Sequence, residues 1–207
     1  MPLQLVTPPS GEPLSLDEVK QWVRVDTPYD DLLLLGLIAA ARNYAEEKTR
    51  RCLITQTWKL VLDSFPGPSL MGVPYGVAYG VPGHAILLER TPVVSVGSIT
   101  YLDMSGTQQT MPSTDYTTEF ASEPARITPV FGKIWPINLP QIGSVQVTFT
   151  SGYGTADKVP DGIKTWMKLR IGALYENREE VAVGTRIVVA ELPYIDALLD
   201  PWLVRYF

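Results

Sequence analysis

Between Leu14 and Arg51 the apolar residues recur at the three-to-four spacing of helices that bury one face, and from Thr55 they alternate as in strands with one wet side. The first helix has a specified start. Ser15 is placed to cap it, Glu18 three residues on completes a capping box, and Leu14 with Val19 forms a hydrophobic staple. Its predicted buried stripe is Val19, Trp22 and Val23. It is expected to stop near Val25, because Asp26-Thr27-Pro28 reads as a new start, with Thr27 as cap and Asp30 and Asp31 at the positive end of the dipole. The second helix is expected from Pro28 to about Arg51. Its first half, Leu32 to Ile38, is apolar nearly all round, which calls for burial on several sides or at a subunit contact. Its second half predicts Ala41, Tyr44 and Ala45 facing inward and Arg42, Glu46, Glu47, Lys48, Arg50 and Arg51 in water, the last two complementing the C-terminal dipole.

The alternating part offers strand candidates at 57–63, 85–89, 93–102, 116–120, 125–129 and 144–150, with Asp103-Met104-Ser105-Gly106 as a hairpin turn into an edge segment. Five or six short strands imply a small antiparallel β domain. Helical spacing returns after Pro160, with Ile163, Met167, Arg170 and Leu174 as the stripe, flanked by Trp166 and Ala173. A short β-like run at 186–190 follows, then Pro193 and a last short helix from Tyr194 to about Asp200, stopped by Pro201. The expected fold class is therefore α+β, a helical bundle made from the N- and C-terminal helices, with an inserted small antiparallel β domain and an extended C-terminal tail. The expected domains are 1–54, 55–152 and 153–207.

Composition adds two candidate contact regions. The segment 65–84 holds nine Gly or Pro residues in twenty, with Tyr75 and Tyr79 spaced among the glycines. A loop of that length inside a compact domain usually serves as a projection, and amphipathic aromatics with little charge suit a protein contact. The other region is the closing Trp202-Leu203-Val204-Arg205-Tyr206-Phe207, too apolar to be left in water.

Charge and candidate chemistry narrow the function classes. The chain carries 22 acidic and 17 basic residues, a net charge of −5, with no Lys/Arg cluster of the kind that displaces counterions from duplex DNA. One cysteine, Cys52, and one histidine, His84, form neither a disulfide nor a zinc set nor a nucleophile-base pair, so no cofactor is expected. The longest strongly apolar run, 32–41, is about half the ~20 residues of a membrane span, and no secretory signal is visible. No P-loop, nucleophile elbow or zinc-protease motif occurs. A carboxylate hydrolase would have to draw on Asp103, Asp115 or Glu119, which nothing in the sequence brings together.

Taken together, the parts resemble the head-tail connector (adaptor) proteins of tailed phages and the adaptors of gene transfer agents. The stretches that carry the resemblance are Leu5-Val6-Thr7-Pro8-Pro9, the run from Leu53 to Trp58, the segment 88–96, Val147 to Gly154, and Tyr175 to Glu179 followed by Glu191-Leu192-Pro193. Trp58 and Tyr175 read as core anchors, Thr91-Pro92 as the start of an edge strand, and Gly152 and Gly154 as the turn that leaves the last strand. The resemblance implies a structural, non-enzymatic subunit of the virion neck, assembled in the bacterial host cytoplasm. It implies a twelve-fold homo-oligomeric ring below the portal protein, with genomic DNA passing through its lumen and a downstream stopper or tail-terminator protein attached. Residues 202–207 are the expected portal-binding segment. An alternative is a tail-completion module that binds through its β domain and the tyrosine loop.

Overall fold

The computed structural model describes residues 3–67, 84–177 and 196–204. Tyr75, Tyr79, the β-like run at 186–190, Pro193, Arg205, Tyr206 and Phe207 lie outside the described residues. The chain divides into two compact units, with boundaries after Pro9, Ile54, Gly152 and Leu203.

One unit is helical and comprises the described residues 10–54, 153–177 and 196–203. Helix α1 spans Leu16–Val23 and opens with the expected capping box. The Ser15 hydroxyl accepts from the Glu18 N–H, and the Glu18 carboxylate accepts from the Ser15 N–H at 2.9 Å. Leu14 and Val19 are both buried, as a staple requires. Arg24 ends the helix in the left-handed region, its N–H reaching the Lys20 carbonyl. Pro28 opens a single 3-10 turn, Pro28–Asp30, rather than the helix itself, and Thr27 makes no side-chain cap. Helix α2 follows over Asp31–Thr49 and α3 spans Asp161–Glu176.

The helical core gathers Leu34, Ile38, Ala41 and Ala45 from α2, Ile163, Trp166, Met167 and Ile171 from α3, and Leu14, Val19, Leu53, Ile54 and Leu199. Four expectations are corrected here. Trp22 is half exposed, because the short α1 leaves it at the rim, where its indole lies against α3 at Gly172. The stripe of α3 passes through Ile171, not Arg170 or Ala173, which are exposed, because the 3.6-residue period carries the buried line from Met167 to Ile171. Glu46 and Arg51 are buried rather than wet, and Arg42 is nearly so. Pro201 does not stop a helix but sits inside a 3-10 turn, Asp200–Trp202.

The burial of those charges has a local cause. Helix α2 ends at Arg50, a second left-handed residue, and the chain turns back under the helix with the N–H of Leu53 in the apolar interior. That donor needs an acceptor, and Glu46 supplies it at 2.8 Å. The Glu46 carboxylate is in turn balanced by Arg42, whose Nε binds Glu12 at 2.7 Å.

The other unit is β and holds the described residues 3–9, 55–67, 84–152 and Val204. Its strands are β1 Leu3–Thr7, β2 Gln56–Leu62, β3 Ile86–Leu88, β4 Val93–Leu102, β5 Gln108–Thr110, β6 Tyr116–Glu119, β7 Ala125–Pro129 and β8 Val145–Ser151. They form a five-stranded sheet in the order β1-β2-β8-β4-β5 and a three-stranded sheet in the order β3-β7-β6, with antiparallel pairing throughout. The mixed α+β class with antiparallel sheets is as expected. The alternation is plainest in β8, where Val145, Val147, Phe149 and Ser151 are buried and their neighbours are not. Leu60, Ile86, Leu88, Ile99, Ile127 and Trp135 complete this core.

Strand β4 is not an edge strand. It pairs with β8 along its length and with β5 from Thr100 to Leu102. The edges of its sheet are β5, expected as an edge segment, and β1, which the sequence did not mark as a strand because only Leu3 is partly covered and the rest is wet. Trp58 is only half-buried, its ring carrying the Arg90 guanidinium at 5.0 Å. Gly152 and Gly154 do adopt φ of 134° and 110°, a conformation open to glycine and costly for other residues.

Candidate assembly surfaces

The C-terminal segment belongs to the helical unit as far as Leu203. Leu199 is fully buried in the helical core, and Trp202 packs against that core with its indole nitrogen beside Gly162 of α3. The Nε of Arg51 donates to the Trp202 carbonyl at 2.6 Å. Earlier in the segment, Asp196 accepts from Lys48 of α2 and from the Trp166 indole, the latter at 3.1 Å. The Lys48 ammonium is the first cause that holds the Asp196 carboxyl below its usual range, and Lys48 is raised in return. Val204 is buried, and Leu203 partly so. The sequence required these apolar groups to find cover, which the resemblance placed on the portal; within the chain Val204 is buried and Trp202 partly so.

A different apolar surface is left open at the start of α2. Tyr29 and Leu32 are 91% and 86% exposed, and Leu33 and Leu35 are also exposed, while Leu34 and Ile38 fill the core. The apolar run from Leu32 to Ile38 is thus divided between an inner face that packs and an outer face that does not. Asp26, Asp30 and Asp31 flank this outer face, with Asp31 paired to Lys20 at 2.7 Å and Asp30 accepting the Tyr175 hydroxyl at 2.7 Å. The latter bond gives Tyr175 its role: it is a partly buried anchor that ties the C-terminal half of α3 to the entry of α2.

The second open surface is the loop between β7 and β8, which the sequence reading passed over. Phe131, Ile134, Ile137 and Ile142 are between 78% and 104% exposed. The loop is nevertheless well held. Trp135 is buried in a stack on Phe65 with ring centroids 4.9 Å apart, and its indole donates to the His84 carbonyl at 2.7 Å. The Asn138 amide donates to the carbonyls of Asp63 and Leu139, and the Leu139 N–H reaches the Leu102 carbonyl at 2.8 Å. Large apolar groups on a pinned loop differ from apolar groups on a slack one, because little further order is lost when they are covered. The signal in the sequence was present, as an apolar stretch whose residues do not alternate and so could not belong to a strand with a buried face.

The three carboxylates weighed for chemistry are arranged as structural acceptors. Asp103 closes its turn by accepting from Ser105, Gln109 and Thr107, hydrogen bonds that bring its carboxyl down to about 2. Glu119 is brought to about 2 chiefly by Ser122, with Arg126 adding an ion pair at 2.9 Å. Asp115 is lowered first by Lys133. A general acid in glycoside hydrolysis needs a raised pKa, and all three are shifted the other way. Among the described residues no group of three or more His, Cys, Asp or Glu is placed to hold a metal ion, and no helix is long and apolar enough to cross a membrane.

Residues 13–74 match the family of phage gp6-like head-tail connector proteins, so the resemblance read from the sequence is borne out over that segment. No curated protein matches the chain. Among solved structures, a chain from "Neck of empty GTA particle computed with C6 symmetry" is similar in fold with a TM-score of 0.76 at 22% identity, covering 100% of this chain and 97% of that one. A chain from "Virion of native gene transfer agent (GTA) particle" has a TM-score of 0.75 at 20% identity, and one from "Neck of native GTA particle computed with C12 symmetry" has 0.73 at 22%, each with the same coverage.

Proposed function

We propose that this chain is a structural subunit of a phage-like neck, a head-to-tail connector whose copies form a ring below the portal protein. The observation that carries the reading is the fold likeness over the whole length of chains from particle necks, one of them computed with C12 symmetry, together with the connector-family match at 13–74. The ring has twelve copies on this reading, with genomic DNA passing through its lumen and a stopper or tail-terminator protein docking below. The subunit is not an enzyme. Its acidic balance, a net charge of −5, suits a wall past which DNA slides without binding. Assembly takes place in the bacterial host cytoplasm, and the finished location is the virion neck.

Portal contact belongs to the end of the chain, 202–207, in the following form. Trp202 and Val204 serve first to fix the segment to its own subunit, and Arg205, Tyr206 and Phe207 make the contact with portal. The test is co-sedimentation of the purified chain with portal rings. Truncation after Val204 is expected to leave a folded protein that no longer travels with portal, and unchanged co-sedimentation would remove the segment's role. The reading in which Tyr75 and Tyr79 carry the interaction predicts the reverse, that deletion of 67–83 abolishes binding and the truncation does not.

A further inference from the structure

Resting on the ring reading, we infer that neighbouring subunits are joined by Tyr29 of the turn before α2 and Leu32, Leu33 and Leu35 on the outer face of α2 of one copy, seated on the β7–β8 loop of the next copy, Phe131, Ile134, Ile137 and Ile142.

Three observations converge on a second copy of this chain as the occupant. The first is symmetry. A closed ring of more than two subunits uses a head-to-tail contact, so each subunit must present two different surfaces that fit one another. A patch that paired with its own copy would stop at a dimer. Among the described residues the most exposed large apolar side chains fall in two places, Tyr29 and Leu32 in the helical unit and Phe131, Ile134, Ile137 and Ile142 in the β unit. Isolated exposed apolar residues are ordinary, but four within twelve residues of one pinned loop are the mark of a contact surface.

The second observation is charge. Residues 26–38 contain Asp26, Asp30 and Asp31 and no basic residue, whereas the only charged side chain in 130–143 is Lys133. Asp31 is paired within the subunit with Lys20 and Lys133 with Asp115, so the charge each surface brings to its rim is chiefly the exposed Asp26 on one side and the half-exposed Lys133 on the other, a pair of opposite sign that favours contact between them. Asp26 is exposed, and the Lys133 side chain is half exposed while paired with Asp115, so both can take part at the rim of such a contact.

The third is preorganisation. The exposed leucines stand on a helix whose opposite face is fixed in the core by Leu34 and Ile38, and the loop is fixed by Trp135 and Asn138. Both partners are already shaped before they meet, so the apolar area they cover is not offset by a large ordering cost.

The experiment places cysteines at Leu32 and Ile134 in a Cys52→Ala background and incorporates the variants into particles, which are then treated with a short bis-maleimide linker. With both cysteines present, denaturing gels are expected to show a ladder of covalent multimers running beyond the dimer. Leu32→Cys alone and Ile134→Cys alone are expected to stay monomeric. Dimers from either single variant, or no ladder from an incorporated double variant, would overturn the pairing. If the wild-type chain is absent from purified particles by immunoblot, the neck reading itself fails, which is a separate outcome. Should the cysteine variants not enter particles, Asp26→Lys and Lys133→Asp decide. Each alone is expected to reduce incorporation at least several-fold and the two together to restore it, and no restoration would overturn the pairing.

Discussion

Glu46 shows how one side chain can settle the course of the backbone. It accepts the Leu53 N–H where the chain turns back beneath α2, and it neutralises Arg42, which also binds Glu12. Glu46→Ala leaves a buried donor and a buried guanidinium short of an acceptor, and it is expected to cost roughly 3 kcal/mol in urea unfolding. Glu46→Gln keeps an acceptor for Leu53 and is expected to cost clearly less. Equal losses would mean that the charge, not the hydrogen bond to the backbone, is what matters. A second prediction at this scale concerns pH. Glu119 has a folded-state pKa of about 2 against an ordinary 4.5, held there first by Ser122. Because the folded value is the lower one, its stabilising effect is present above about 4.5 and is lost as pH falls towards about 2. Thermal unfolding of Glu119→Gln should therefore fall below wild type near neutral pH and converge with it on acidification. A gap that persists at the acid end would contradict the assignment.

These residue-scale features were unevenly legible in the sequence. The capping box was readable because Ser15 and Glu18 are three apart, and the spacing alone makes the geometry. Glu46 and Arg51 were not, because a charged residue on a helix reads as wet until a later part of the chain is known to lie over it.

At the scale of elements, the inner face of α2 followed from its period, and the outer face did not. A run of leucines says that burial is needed but not which of them the rest of the chain covers. Strand β4 was placed at its observed bounds, Val93–Leu102, by alternation, and its hairpin to β5 was foreseen, yet it was taken for an edge strand, since its other neighbour, β8, lies far off in sequence. The β7–β8 loop was missed because its function rests on exposed apolar side chains, and hydrophobicity is ordinarily read as burial. The C-terminal segment offers the prediction suited to this scale. Trp202 packs on the helical core and Arg51 binds its carbonyl, so Trp202→Ala is expected to destabilise the helical unit by about 2 kcal/mol in urea. No loss of stability would mean that the indole is free to serve a partner instead. By contrast, Ile134→Asp lies on an exposed surface and is expected to change stability by no more than about 0.5 kcal/mol while preventing assembly.

For the whole molecule, the two units answer different needs. The helical unit holds the C-terminal segment as far as Leu203, and the β unit presents a pinned apolar loop. A ring subunit has to keep its own fold and still leave surfaces unsatisfied until neighbours arrive, and the separation of inner and outer apolar faces meets both demands. The acidic balance adds that the isolated chain should show no retention of duplex DNA at about 150 mM salt in a mobility-shift assay, since little counterion release is available. The most direct test of the account is cryo-electron microscopy of purified particles that contain this chain. The account predicts a ring of copies of this fold between capsid and tail, immediately below the portal, with an open axial lumen. Density for this fold confined to the tail tip or the capsid shell, or its complete absence from the neck, would contradict it.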